Sequence, residues 1–227
     1  SMALIFTFVF TRAVKVEGGM GIDMPYALFA YVGLVPWTLF ASGLNGCVNS
    51  LVANRNLVTK VYFPREVLPL SCIGSALVDF CVAWTVLAGL LAYFHFSTDW
   101  SFVPSRAMLF LPVVVCVQVV LMIGVGMLLA MANLFYRDVR QVFSVFIQLW
   151  MFATNVVYPL PDDGSWVGRL VSLNPMTPII AAYRDCIVLG CVPDAASFGY
   201  AAGVSVVVLG FGWACFHRAA FLFAERI

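Results

Sequence analysis

Charge is what this chain has least of. Of its 227 residues, 10% are Asp, Glu, Lys or Arg, against about 25% in a typical soluble domain. That scarcity excludes an ordinary solvated surface. The balance of 12 basic and 11 acidic residues also excludes nucleic acid as a partner, because binding phosphate backbones takes a concentrated basic field. Catalytic signatures are missing as well. There is no HExxH and no GxSxG, and without GxxxxGK[ST] the chain has no P-loop with which to hydrolyse ATP. The seven cysteines, Cys47, Cys72, Cys81, Cys116, Cys186, Cys191 and Cys215, form no CxxC and stand at no ligand spacing from His95 or His217. Most lie in apolar runs, where a thiol acts as a small hydrophobe, so no metal site is expected. Cys186 and Cys191 alone are close in sequence, and a disulfide between them is not indicated.

What is abundant is apolar: 63% of the residues, against about 45–50% in soluble domains. The chain reads as an all-α integral membrane protein forming one transmembrane domain over residues 1–227, since helices satisfy their own backbone in lipid. Residues 2–11 are apolar but about half the length of a span, which needs roughly 20 residues. They are read as the second half of a first span, with the N-terminal portion of the protein missing. Residues 25–53 form a second span, opened by Pro25 and interrupted by Pro36, where a kink is predicted. Residues 67–94 form a third, the uncharged run 107–132 a fourth, the aromatic-rich run 142–160 a fifth, and 198–216 a sixth. Between the last two, residues 161–197 carry two short apolar stretches punctuated by Pro175, Pro178 and Pro193. These predict a re-entrant hairpin dipping into the membrane edge, or else a cap over the helix ends. No internal repeat of the kind that marks many secondary transporters is visible.

Residues 54–66 stand apart. Arg55, Lys60 and Arg65 fall among Leu57, Val58, Val61 and Tyr62, which recur at helical spacing before Pro64 stops the turn. The segment is either a surface helix that a soluble partner can push, or a basic loop that only fixes orientation. Basic residues near span ends are Arg55, Lys60, Arg65, Arg137, Arg140, Arg218 and Arg226 on one side, against Arg12, Lys15, Arg106, Arg169 and Arg184 on the other. That excess puts residues 54–66 and both ends of the protein in the cytoplasm.

Few residues invite a chemical role. Asp79 is the only acid deep in a span: either part of a proton relay or a group fixing helix packing. His95 lies at a span end. Asn45 and Asn49 share a helix face. Ser42/Gly46, Ser71/Ser75 and Gly199/Gly203 are small-xxx-small pairs that allow close helix approach. Phe143, Phe146 and Trp150 fall on one face of the fifth span. Such a stripe serves as core or interfacial belt, or, with Gln148 and Asn155 nearby, as a lining for a sugar chain.

Four stretches together look familiar: IFTFVFTRAVKV at the start, NLVTKVYFPREVLPL after the second span, NLFYRDVRQVF before the fifth and LNPMTPIIAAYRDCIVLG before the last. The chain resembles the membrane (permease) subunit of bacterial type 2 ABC transporters that export lipid-linked polysaccharides, the O-antigen, capsule and teichoic acid exporter group. The resemblance covers nearly the whole chain. It implies a six-span permease working as a homodimer with two copies of a separate P-loop ATPase, which binds the ATP and Mg; this chain needs no cofactor and has no catalytic residue. It implies a bacterial inner membrane location and a polyprenyl-diphosphate-linked glycan as substrate. Residues 54–66 become a coupling helix, with Arg55, Lys60, Tyr62, Arg65 and Glu66 meeting the ATPase. Trp166–Gly190 becomes the outward gate, with Trp166, Tyr183 and Arg184. Phe143, Phe146, Trp150 and Tyr158 become the substrate path. Two other readings compete: an intramembrane transferase using Asp79 and His95, and a proton-driven carrier that needs no ATPase.

Overall fold

The computed structural model describes residues 26–54, 64–97, 105–136, 138–156 and 171–219. Every regular element among them is helical. Helix α1 covers Tyr26–Ala53, α2 Val67–Ser97, α3 Leu111–Phe135, α4 Val139–Phe152, α5 Met176–Arg184 and α6 Ala195–Ala219. A 3-10 turn, Arg106–Phe110, leads into α3, and a π-helical turn, Asp185–Leu189, extends α5. Four helical stretches are long and apolar enough to cross a membrane: Leu28–Ala53, Val67–Phe96, Arg106–Phe135 and Ala195–Ala219. The expected partial span at 2–11 lies outside the described residues, as do 55–63 of the coupling segment, 157–160 of the expected fifth span and 161–170 of the hairpin.

The long helices follow from unbroken apolar runs, and the few polar residues within them spend their donors locally. In α1, Thr38 donates to the Val35 carbonyl at 2.8 Å, Asn45 to Ala41 at 2.9 Å and Ser50 to Cys47 at 2.7 Å. Returned to the preceding turn, these groups cost little in an apolar setting. The helix runs through Pro36.

Helix α1 is central. It packs on α2, α3, α4 and α5, while α3 also packs on α6. The core between them holds Leu28, Phe40, Leu44, Met122, Ile179 and Tyr183, all without exposure. The closest backbone approach is α3 on α6. A Cβ added at Gly124 would lie 2.6 Å from the backbone nitrogen of Leu209, and one at Gly212 would overlap the Gly124 carbonyl oxygen. Only the missing side chains allow this contact. By contrast, Gly199 and Gly203 meet nothing within 4 Å inside this chain, so that small-residue pair makes no close approach within the subunit.

One helix ends earlier than the expected run, whose residues 157–160 lie outside the described residues. The run 142–160 was expected as a continuous fifth span. The structure instead has a helix of 14 residues, Val139–Phe152, about 21 Å long, against roughly 30 Å of hydrocarbon. It gives way to a turn at 153–156. Beyond that end, the carbonyls of Asn155 and Val156 are taken by one side chain of the hairpin, Arg184. Smaller differences lie at the ends: α2 runs three residues past the expected limit of 94, and α6 covers 195–219 where 198–216 was expected.

Candidate functional site

The broken end of α4 and the hairpin helix α5 form the most heavily hydrogen-bonded region between elements. Arg184, the last residue of α5, donates from Nη1 to the Asn155 carbonyl at 2.8 Å and from Nη2 to the Val156 carbonyl at 2.6 Å. A planar fork suits two adjacent carbonyls, and its charge strengthens both bonds. The guanidinium carbon also sits 3.9 Å from the centre of the Phe29 ring, within cation–π range. Space for this comes from Gly33 on α1, where a Cβ would lie 2.7 Å from Nη2 and 2.6 Å from the Val156 oxygen. The fork satisfies two carbonyls of the turn that follows α4, which lie beyond the helical hydrogen-bond pattern and need partners when buried.

Asn174 makes the second attachment. Its Oδ1 accepts from Trp150 Nε1 at 3.1 Å and from the Met176 backbone N–H at 3.1 Å. Its Nδ2 donates to Thr154 Oγ1 at 2.7 Å, and that hydroxyl donates to the Trp150 carbonyl at 2.8 Å. Trp150 also meets Phe40 of α1 edge-on, with ring centres 5.2 Å apart.

Two buried amides on α3 tie the bundle at its two ends. Gln118 donates to the Pro36 carbonyl at 2.7 Å and accepts from the Tyr183 hydroxyl at 2.8 Å. Asn133 donates to the Val48 carbonyl at 2.8 Å and accepts from the Arg140 backbone N–H at 3.2 Å. Each amide uses both of its functions to join α1, α3 and a third element. Neither residue stands out in the sequence; an uncharged amide in an apolar run was the only available signal.

The candidate residues fall as follows. Phe143, Phe146 and Trp150 form a ladder, with ring centres 6.4 and 5.3 Å apart. They are not equally open: Phe143 is buried, Phe146 is 50% exposed, and Trp150 is partly buried. Tyr183 and Arg184 are both buried. Glu66 turns toward α6, where its Oε1 lies 3.4 Å from His217 Nδ1. Arg65 is partly buried in the turn that starts α2, its carbonyl accepting from Leu68 at 3.3 Å. Arg55, Lys60, Tyr62, Tyr158 and Trp166 lie outside the described residues.

Asp79 and His95 are not brought together. Both lie on exposed positions of α2, sixteen residues and so about 24 Å apart along the helix. His95 instead helps line an apolar cavity of about 460 Å³ with Trp84, Leu91, Phe96 and Met108. A reaction shared by these two groups has no common site. Among the described residues, no cluster of His, Cys, Asp or Glu has the composition of a metal centre. At the start of α6, Asp194 Oδ2 accepts from the Ser197 backbone N–H at 2.9 Å and from its hydroxyl at 2.7 Å. These bonds hold the carboxyl below its usual range.

Helices of this length and apolarity, packed around a proline-bearing central span, define a multi-pass membrane protein. Residues 1–188 match the ABC-2 type transporter family, and the chain belongs to that family. It is 33% identical over 205 residues to the O-antigen export system permease protein RfbA of Myxococcus xanthus, covering 89% of this chain and 76% of that protein. It is 28% identical over 228 residues to the RfbA of Klebsiella pneumoniae, covering 98% and 82%. A more distant relative is the polysialic acid transport protein KpsM of Escherichia coli, 22% identical over 202 residues, covering 86% and 73%.

Proposed function

We propose that this chain is the permease subunit of an ATP-driven exporter that carries a lipid-linked, O-antigen-like polysaccharide across the bacterial inner membrane. The relatives named for O-antigen export and polysialic acid transport support the substrate class. The subunit has six spans, works as a homodimer, and is driven by two copies of a P-loop ATPase that binds the ATP and Mg. Both termini are cytoplasmic. Residues 54–66 form the coupling helix, with Arg55, Lys60, Tyr62, Arg65 and Glu66 at or beside the ATPase contact. The pairing of Glu66 with His217 gives that contact a second route, into α6 as well as α2.

One observation carries the path assignment: the aromatic ladder on α4, whose end is built into the hairpin. Phe146 offers its ring, with Phe143 and Trp150 behind it, and Tyr158 is assigned to the same path. An aromatic face takes the apolar CH face of a sugar ring. A repeating glycan can slide along such a surface, since no single contact is strong. Trp166, Tyr183 and Arg184 form the outward gate. When the ATPase closes on ATP, the coupling helix shifts, the first and fifth spans part, and the polyprenyl-diphosphate-linked glycan enters. The test is Trp150→Ala in the intact complex: assembly with the ATPase survives and glycan export falls. Undiminished export removes the ladder from the path.

A further inference from the structure

We propose that Asn174 is a positioning residue for Trp150, so that the hairpin sets the orientation of an aromatic side chain on the substrate path. The idea deepens the path assignment above and rests on it for its functional consequence. Its structural part stands on the hydrogen bonds alone.

Trp150 has one polar atom, Nε1, and a partly buried indole needs a partner for it. That partner is not on α4 but on the hairpin: Asn174 Oδ1, at 3.1 Å. Asn174 is in turn held from three sides. Its Oδ1 takes the Met176 N–H at 3.1 Å, its Nδ2 is spent on Thr154 Oγ1 at 2.7 Å, and its own N–H donates to the Val171 carbonyl at 3.2 Å. An amide restrained in this way cannot rotate to follow the indole, so the indole must follow the amide. The ring is gripped between Phe40 on one side and Phe146 on the other. With Nε1 fixed as well, a single ring orientation remains.

A mechanical consequence follows. Arg184 and Asn174 together join the hairpin to the end of α4 through four direct hydrogen bonds from side chains. Its other bonds to neighbouring elements are single and neutral: Tyr183 to Gln118 of α3, Ser105 to the Gly190 carbonyl, and Tyr200 of α6 to the Leu173 carbonyl. Charged donors make the stronger bonds. The end of α4 is therefore the hairpin's strongest attachment among the described residues, and Trp150 keeps its orientation relative to the hairpin.

The test uses the complete protein with its ATPase, labelled with 5-fluorotryptophan, the Trp150 resonance being the one lost in Trp150→Phe. Asn174→Leu keeps the volume but removes the acceptor; Asn174→Asp keeps it. The expected result is a Trp150 resonance shifted or broadened in Asn174→Leu and restored toward its original position in Asn174→Asp. Export should fall roughly two- to tenfold in Asn174→Leu, the range of one lost hydrogen bond, and Trp150→Phe/Asn174→Leu should export no worse than the poorer single variant. A resonance untouched by Asn174→Leu overturns the proposal, as does an additive loss in the double variant. If the resonance moves but Trp150→Ala exports normally, the path assignment fails while the positioning contact stands. Should Asn174→Leu fail to assemble, Asn174→Ala, which also removes the acceptor, must move the same resonance; no movement overturns the proposal.

Discussion

The hydroxyl of Tyr183 donates to Oε1 of Gln118 at 2.8 Å, with neither side chain exposed. The same amide donates to the Pro36 carbonyl, so one side chain on α3 joins the hairpin to the proline-bearing span. Gln118→Leu strips both partners at once. The expected loss is about 1–3 kcal/mol, the range for buried polar groups left without partners. Tyr183→Phe removes one bond and should cost about 1 kcal/mol. Because the two share that bond, Gln118→Leu/Tyr183→Phe should fall short of additivity by about 0.6 kcal/mol, a typical bond within a membrane protein. Unfolding in detergent measures all three.

Close approach of α3 and α6 makes a second prediction. Gly124→Ala drives a methyl into the backbone at Leu209, and overpacking of this kind costs about 1–3 kcal/mol. Gly199→Ala and Gly203→Ala, with nothing within 4 Å of the new methyl, should change stability by no more than about 0.5 kcal/mol. Thermal unfolding of the three variants checks the contrast; equal losses would refute the packing described for the two helices.

Asp194 gives a pH dependence. Its carboxyl is held below the ordinary range by the Ser197 bonds, so its folded pKa lies below its unfolded value of about 3.9. The contribution is complete above the unfolded pKa and is lost as pH falls through the folded one. Asp194→Ala should therefore lower the melting temperature at pH 7, and the gap to the unaltered protein should narrow as the pH drops below about 4. A gap that stays constant down to pH 3 would show that the capping carboxylate is not the cause.

How much of this was legible beforehand varies with the signal. Val67–Ser97 and Ala195–Ala219 lie where unbroken apolar runs lie, because burial in lipid is a property of composition and length. The end of α4 at Phe152 is not legible in an apolar run, nor is the attachment of the turn after it to Arg184, a partner distant in sequence. Which glycines are used inside the subunit is hidden for a related reason. A small-xxx-small pair marks a face that permits approach, and Gly199 and Gly203 have one; only the packed structure shows that Gly124 and Gly212 use theirs. Gln118 and Asn133 were passed over in or beside a run valued for its lack of charge. The aromatic ladder was visible as spacing, but that Phe143 is buried and Phe146 open is a fact of tertiary contact.

The central claim is that this permease has no energy source of its own and is moved through its cytoplasmic coupling segment by a separate ATPase. The direct measurement is export of lipid-linked glycan in vesicles holding the complete protein, with and without the ATPase, alongside Lys60→Glu/Arg65→Glu. The account predicts ATP-dependent export only when both subunits are present, and loss of both co-purification and export in the charge-reversed variant. Export by the permease alone, or undiminished complex formation and export after charge reversal, would contradict it.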